Sequence, residues 1–399
     1  MAQHVFGRFV LDPGERKFLR DGEEIRLRGK VFDTLCVLVK NPGRLLKKEE
    51  LLQAVWPNTV VEQNNLDHCI SQLRKVFGDD DRLIETVPRQ GYRFVAQVSH
   101  IAGNSAGAGT KQAPVLPHIP SQEIRFFKAS DGVKIAYSTA GSGPPLVKTA
   151  NWLNHLEFEV QSPLWASWLA VLTAHHTLVR YDERGNGLSD WNVQDFSFKS
   201  WVKDLEELIE TVKLERFPLL GISQGAAVAV EYAVRHPEKV SKLVLIGPFA
   251  SGWKVRSSPR GMERWSALHS LIRSGWGKDN PAFRRMWSTL FIPEGTPEQS
   301  EWFTELQRVT TSPANAAQLL LQMGSIDVFS LLPEVKCPTL VLHSRDDAVV
   351  PMHEGRRIAS RIPGAKFVEL PSPNHIVIAQ EPAWKVFVKA LGEFLEWEK

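Results

Sequence analysis

The spacing of apolar positions changes twice within the first hundred residues. Short alternating runs, HVFGRFVLD, KFLRDG and EEIRLR, come first and predict a small antiparallel sheet. Helical spacing follows: Val31, Leu35 and Leu38 share a face, as do Leu51, Leu52 and Val55, and then Leu66, Ile70, Leu73 and Phe77 at i, i+4, i+7 and i+11. RLIETVPRQGYRFVAQV closes the segment with two β-prone runs around Pro88-Arg89-Gln90-Gly91, a hairpin signal.

Residues 101–121, IAGNSAGAGTKQAPVLPHIPS, lose this periodicity and read as a linker, flexible first and stiffer toward Pro114, Pro117 and Pro120. Three regions are therefore expected: 1–100, the linker 101–121, and 122–399. In the last, apolar runs (EIRFFKA, VKIAYS, PPLVKTA, HTLVRYD, FPLLGI, KLVLIG, TLVLHS, KFVEL) alternate with helical stretches. Continuous Val, Leu and Ile runs between helices indicate a mainly parallel sheet covered on both faces.

Composition narrows the reading. The 399 residues are 43% hydrophobic and 23% charged, as in soluble globular proteins. A net charge of only +3 means that any nucleic-acid contact must come from a local patch. Cys36, Cys69 and Cys337 are odd in number, far apart and without C-x-x-C spacing, so neither a disulfide framework nor a zinc site is expected and a reducing cytoplasm fits best. No signal peptide or membrane span is expected, because the most apolar stretch, Phe217 to Val234, is broken by Gly221, Gln224, Gly225 and Glu231.

Burying Leu66, Ile70, Leu73 and Phe77 points Asn64, Asn65, His68, Ser71, Gln72 and Lys75 outward. These amide, hydroxyl and cationic groups suit base edges and phosphates, although an ordinary solvated helix face has the same make-up. Arg89 at the hairpin tip and Arg93 on its return strand would add phosphate or minor-groove contacts. VFDTLCVLVKNPGRLLKKEELLQAVW, NNLDHCISQLRKVFGD and IETVPRQGYRFV, in this order after a β-rich start, resemble the OmpR/PhoB-type winged-helix DNA-binding domain across residues 5–98. Gly91-Tyr92-Arg93 and Leu73-Arg74-Lys75 are the most specific parts. The resemblance implies double-stranded DNA as partner, read by the third helix in the major groove with Arg74 and Lys75 among the contacts and the hairpin as wing. RNA polymerase and a second copy of the chain are further implied partners. No receiver domain precedes this segment, so phosphorylation is not expected as the input.

In PLLGISQGAAVAVEYA, Gly221-Ile222-Ser223-Gln224-Gly225 joins an apolar strand to an alanine-rich helix. A strained strand-to-helix turn lifts the Ser223 hydroxyl into a cleft, and glycines at both flanks remove side chains that would strike neighbouring backbone. The helix beginning near Gln224 aims its first amides where an oxyanion would form. VLHSRDDAVVP ends a later strand with Asp346 and Asp347, and LPSPNHIVIAQEP presents His375 before the last helix.

The chain order Ser, Asp, His, together with RYDERGNGLSD at residues 180–190, resembles the α/β-hydrolase family over residues 122–399. The expected fold is thus a winged helix-turn-helix (α+β) followed by an α/β-hydrolase with a mainly parallel sheet, helices on both faces and a helical cap at 249–335. By the resemblance Ser223 is the nucleophile, Asp347 the acid, with Asp346 a loop-turn carboxylate, and His375 the base; Asp182 and Arg184 frame the cleft. The family's His-Gly after the third strand is here Ala150-Asn151. That alignment makes the Trp152 amide the second oxyanion donor beside that of Gln224. Trp253, Trp265, Trp276, Trp287 and Trp302 fall in the cap, where they either line a pocket or pack its core. Arg256, Arg260, Arg273, Arg284 and Arg285 either meet an anionic substrate group or are solvated.

No cofactor or metal is expected. The combined reading is a transcriptional regulator whose second domain binds and hydrolyses a small ester, lactone or amide. A serine hydrolase tethered to DNA or to a partner, and a catalytically silent ligand sensor, are the alternatives.

Overall fold

The computed structural model describes residues 3–101 and 117–397, apart from 14–15, 26, 28, 56–62, 79–82, 88–89, 97, 257 and 278–280. It divides into two compact units, Met1–Lys111 and Gln112–Lys399.

In the first unit the alternating runs form β1 (Gln3–Phe6), β2 (Phe9–Asp12), β3 (Lys17–Arg20) and β4 (Glu23–Glu24), followed by α1 (Gly29–Val39), β5 (Leu45–Lys47), α2 (Lys48–Val55), α3 (Gln63–Phe77), β6 (Ile84–Val87), β7 (Gly91–Phe94) and β8 (Ser99–Ile101). β1–β4 and β8 make an antiparallel sheet in the order β4-β3-β2-β1-β8, and β5-β7-β6 make a second one. Ile101, expected to begin the linker, pairs with Gln3 in β8. The predicted helix faces are buried: Leu35, Leu38, Leu51, Leu66, Ile70, Leu73 and Phe77 are each at most 1% exposed. They meet a sheet-borne aromatic cluster in which Phe6, Phe9 and Phe18 pack against Phe77, and Phe6 also against Phe94.

The second unit contains β9 (Glu123–Lys128), β10 (Lys134–Ala140), β11 (Pro145–Lys148), α4 (Leu156–Val160), α5 (Ala166–His175), β12 (Thr177–Tyr181), α6 (Phe198–Val212), β13 (Phe217–Ile222), α7 (Gln224–Arg235), β14 (Val240–Ile246), α8 (Trp253–Arg256), α9 (Pro259–Gly275), α10 (Pro281–Phe291), α11 (Pro297–Thr310), α12 (Pro313–Gly324), β15 (Thr339–Ser344), α13 (Met352–Arg361), β16 (Lys366–Leu370) and α14 (Pro382–Leu395). Its eight strands run β16-β15-β14-β13-β11-β12-β10-β9. All neighbours from β12 to β16 are parallel, and β10 pairs antiparallel with both β12 and β9. β13 lies inside the sheet with every residue but Pro218 buried, and its neighbours β11 and β14 end beside Leu220 and Ile222, so Ser223 follows at the carboxyl edge of the sheet. Helices α8–α12 intervene between β14 and β15 as the expected cap.

Candidate functional site

β13 delivers Ser223 in a left-handed conformation, φ 54° and ψ −122°, which costs a non-glycine residue about 1–3 kcal/mol. The turn is held by the Ser223 amide donating to the Ile246 carbonyl at 2.9 Å. Both flanking glycines are sterically required. A Cβ on Gly221 would lie 2.6 Å from Ala226 Cα, and one on Gly225 would lie 2.4 Å from the Ala150 carbonyl and 2.5 Å from Thr149 Oγ1. Gly225 thus lets α7 touch the loop after β11, the loop expected to hold an oxyanion donor.

The loop after β15 carries Asp347, which is buried, whereas Asp346 is exposed. Asp347 Oδ1 accepts the Val349 and Val350 amides at 2.8 and 2.9 Å, and Oδ2 accepts from His375 Nδ1 at 2.6 Å. Burial works against the charge on Asp347, but the nearby His375 and its hydrogen bond, with the Val350 amide, hold the carboxyl below its usual range. The carboxylate fixes the imidazole tautomer with the proton on Nδ1. Nε2 is then a base, buried and without a hydrogen-bond partner among the described residues. Phe291 steadies His375 twice: its carbonyl accepts from the His375 backbone amide at 2.9 Å, and its ring meets the imidazole edge-on at 5.3 Å. Ser223 and His375 line one cavity of about 280 Å³.

The oxyanion loop brings a correction. The Gln224 amide stands at the first position of α7, where helix donors have no partner within the helix. The Trp152 amide, expected to be the second free donor, instead donates to the Gln224 side-chain carbonyl at 2.8 Å. Gln224 Nε2 in turn donates to Glu183 at 2.9 Å. Behind the loop, Lys148 Nζ donates to Asn151 Oδ1, and Asn151 Nδ2 to the Trp152 carbonyl. Burial pushes the Glu183 carboxyl up to about 8 and the Lys148 ammonium down to about 8. Neither residue carries a sequence signal, since a charged residue at the end of an apolar run reads as solvated.

Asp182 and Arg184 brace the framing loop as expected of the motif. Asp182 accepts from Asn154 Nδ2 and from the Leu156 and Leu188 amides, and Arg184 grips Asp204 with two bonds of 2.6 and 2.7 Å. The five cap tryptophans divide. Trp253, Trp265 and Trp287 line the cavity with Trp152 and Trp165. Trp276 packs under Trp152 and donates to the Thr311 carbonyl, and Trp302 stacks on Phe158. Of the five arginines, Arg256 reaches the cavity, while Arg260, Arg273 and Arg285 are exposed. The Arg284 side chain lies outside the described residues.

In the first unit, Asn65, His68, Ser71 and Lys75 are exposed along α3 and Gln72 is half-buried. Arg89 and the side chain of Asn64 lie outside the described residues. Arg93 pairs with Glu85 across the hairpin at 3.0 Å. Arg74, expected by the resemblance among the DNA contacts, donates its guanidinium to the Ile84 carbonyl and to Thr86 Oγ1, both at 2.7 Å. A second brace was not foreseen, in which Asp67 of α3 accepts from Tyr92 of β7 at 2.7 Å and from Lys48 of α2 at 2.9 Å.

The chain belongs to the alpha/beta hydrolase fold family, which matches residues 158–382, more than half of its length. Residues 22–94 match the family described as transcriptional regulatory protein, C terminal, so an OmpR/PhoB-type domain is joined to an α/β-hydrolase domain. The AB hydrolase superfamily protein YisY of Bacillus subtilis (strain 168) is 25% identical over 259 residues, 64% of this chain and 94% of that protein. The putative carbamate hydrolase RutD of Klebsiella pneumoniae (strain 342) is 27% identical over 218 residues, 53% of this chain and 79% of that protein. Among solved structures, the enol-lactonase from Burkholderia xenovorans LB400 shares the fold with a TM-score of 0.57 at 23% identity, over 68% of this chain and 100% of that one. No helix among the described residues is long and apolar enough to cross a membrane.

Proposed function

We propose that this chain is a DNA-binding transcriptional regulator whose second unit binds and hydrolyses a small acyl compound, an ester, lactone or amide. The observation that carries the hydrolase half is the 2.6 Å bond from His375 Nδ1 to Asp347, which leaves a bare, buried Nε2 in the same cavity as Ser223. His375 Nε2 takes the Ser223 proton as Oγ bonds to the acyl carbon, and Asp347 stabilises the imidazolium. Collapse of the tetrahedral intermediate returns that proton to the departing group, and water then frees the acyl chain by the same route. The bond between Ser223 and His375 is open in the structure, and such bonds tighten when substrate arrives. Relatives named as a carbamate hydrolase and an enol-lactonase favour this reaction class.

The regulatory half rests on the match over residues 22–94 and on the exposed polar row of α3. Duplex DNA is the partner of that row, the linker passes ligand occupancy to it, and RNA polymerase and a second copy of the chain complete the regulatory complex. One observation supports a second reading, a sensor without turnover: the Trp152 amide is occupied by Gln224. A fluorophosphonate probe decides between them. The hydrolase reading expects a single labelled peptide containing Ser223 that disappears in Ser223→Ala, whereas an unlabelled wild type leaves the sensor.

A further inference from the structure

Arg256 of the cap is half-buried and turns toward the cavity. It ends α8, its side chain is only 14% exposed, and it lines the cavity that holds Ser223. Its guanidinium lies 5.3 Å from the centroid of the Phe249 ring. The acid facing it, Glu354 of α13, is 4.0 Å from Nη1, too far for a hydrogen bond, and Nη1 is buried with no hydrogen-bond partner among the described residues. Glu354 also answers to His353 at 3.4 Å and Arg357 at 3.8 Å, so Arg256 has only a share of its charge.

A buried guanidinium N–H left bare is costly, and burial already works against the charge on Arg256. Such a donor is relieved when an anionic oxygen reaches it. Arg264, also among the cavity-lining residues, adds positive potential, Glu354 is the single acid among them, and the Asp347 carboxylate beyond them acts on Arg256 less strongly than Glu354. The remaining walls are largely aromatic and aliphatic, with Trp253, Trp265 and Trp287 prominent.

From this we infer that the acyl compound is amphiphilic and carries a carboxylate, with Arg256 Nη1 as the anchor of that carboxylate and the tryptophan walls covering the chain between it and the reacting carbonyl. The inference rests on the proposed hydrolase reading of the cavity and adds the substrate class to it.

A matched pair of esters tests it: p-nitrophenyl hexanoate and the mono-p-nitrophenyl ester of adipic acid, which differ in a terminal methyl against a terminal carboxylate. The full chain should favour the carboxylate ester at least tenfold in kcat/KM, chiefly through KM. Arg256→Met should reduce that ratio to about one, and Arg256→Lys should restore part of it. A wild type that favours the neutral ester, or a ratio unchanged in Arg256→Met, overturns the inference while leaving the hydrolase reading intact. Binding separates the two failures. In Ser223→Ala, quenching of tryptophan fluorescence by monomethyl adipate should saturate at lower concentration than with methyl hexanoate, and this difference should vanish in Ser223→Ala combined with Arg256→Met. Absence of hydrolysis with that binding preference present sinks the hydrolase reading alone, and absence of the preference sinks the carboxylate anchor.

Discussion

Replacing Gln224 by methionine separates two roles that the residue now combines. Its backbone amide points from the start of α7 toward the expected oxyanion, and its side-chain carbonyl holds the neighbouring Trp152 amide at 2.8 Å. Methionine keeps the backbone donor and about the same volume in a fully buried position, but it has no strong acceptor to offer Trp152. The gain has two bounds. If Gln224 swings aside in every turnover, the enzyme loses only the net strength of one hydrogen bond, roughly 0.5–1.5 kcal/mol or about two- to tenfold in rate. If it never lets go, freeing the donor returns up to about 2.7–4 kcal/mol, roughly a hundred- to a thousandfold. Losing the Gln224 contact leaves Glu183 with one donor fewer, the Asn186 side-chain amide remaining at 3.3 Å. The expected result is a kcat for p-nitrophenyl butyrate raised about tenfold, between those bounds, with KM little changed, since an oxyanion contact is made only in the transition state. Gln224→Glu retains an acceptor for the Trp152 amide and should show no such rise. A fall in kcat in Gln224→Met, with an unchanged melting temperature, refutes the competition and makes the side chain a support for the loop.

Four further outcomes test the two units. Gly225→Ala sets a methyl 2.4 Å from the Ala150 carbonyl, so the oxyanion loop must retreat; melting should fall by an amount equivalent to about 1–3 kcal/mol and fluorophosphonate labelling of Ser223 should be lost. On α3, Lys75→Ala should weaken DNA binding and lower the salt slope by about one, with stability unchanged, in a fluorescence anisotropy titration. Arg74→Ala should instead loosen the hairpin, because its bonds to Ile84 and Thr86 are lost, and an Arg74→Ala variant with wild-type hydrogen-exchange protection in β6 and β7 would contradict that assignment. Asp67 is held below the usual carboxylate range by its hydrogen bond from Lys48 and then that from Tyr92. A depressed carboxyl contributes stability above its unfolded pKa of about 4, and that contribution is lost as pH falls through the lower folded value. Protection factors of α3 and β7 peptides, corrected for intrinsic exchange, should therefore drop below about pH 4 in the wild type and be pH-independent there in Asp67→Asn.

Much of this was legible along the chain because it depends on near neighbours. The period of Leu66, Ile70, Leu73 and Phe77 settles which face of α3 is buried, since 3.6 residues per turn leaves no other continuous apolar stripe. The glycines around Ser223 announce a sharp turn, because no other residue tolerates the approaches measured at Gly221 and Gly225. Eight runs of Val, Leu and Ile became eight strands, and the choice of Asp347 over Asp346 agrees with the one that is buried against His375. β5 and β8 were missed, for three residues carry no periodic signal and become strands only by pairing with β7 and β1.

What only the tertiary structure decided is where the polar groups spend their hydrogen bonds. Trp152 and Gln224 are 72 residues apart, and Gln224 and Glu183 are 41 apart, so no local pattern could reveal that the expected oxyanion donor is already taken. Arg74 was expected among the DNA contacts only through the family resemblance, and it is a distant hairpin, ten and twelve residues on, that claims its guanidinium. The cap tryptophans and arginines look alike in sequence, and the packing of α8–α12 sends Trp253 and Arg256 into the cavity while others fill the cap or face water. Secondary structure follows from the period of apolar residues because burial is a property of each segment's own face. The partner of a buried polar group follows from whichever distant segment the fold sets against it.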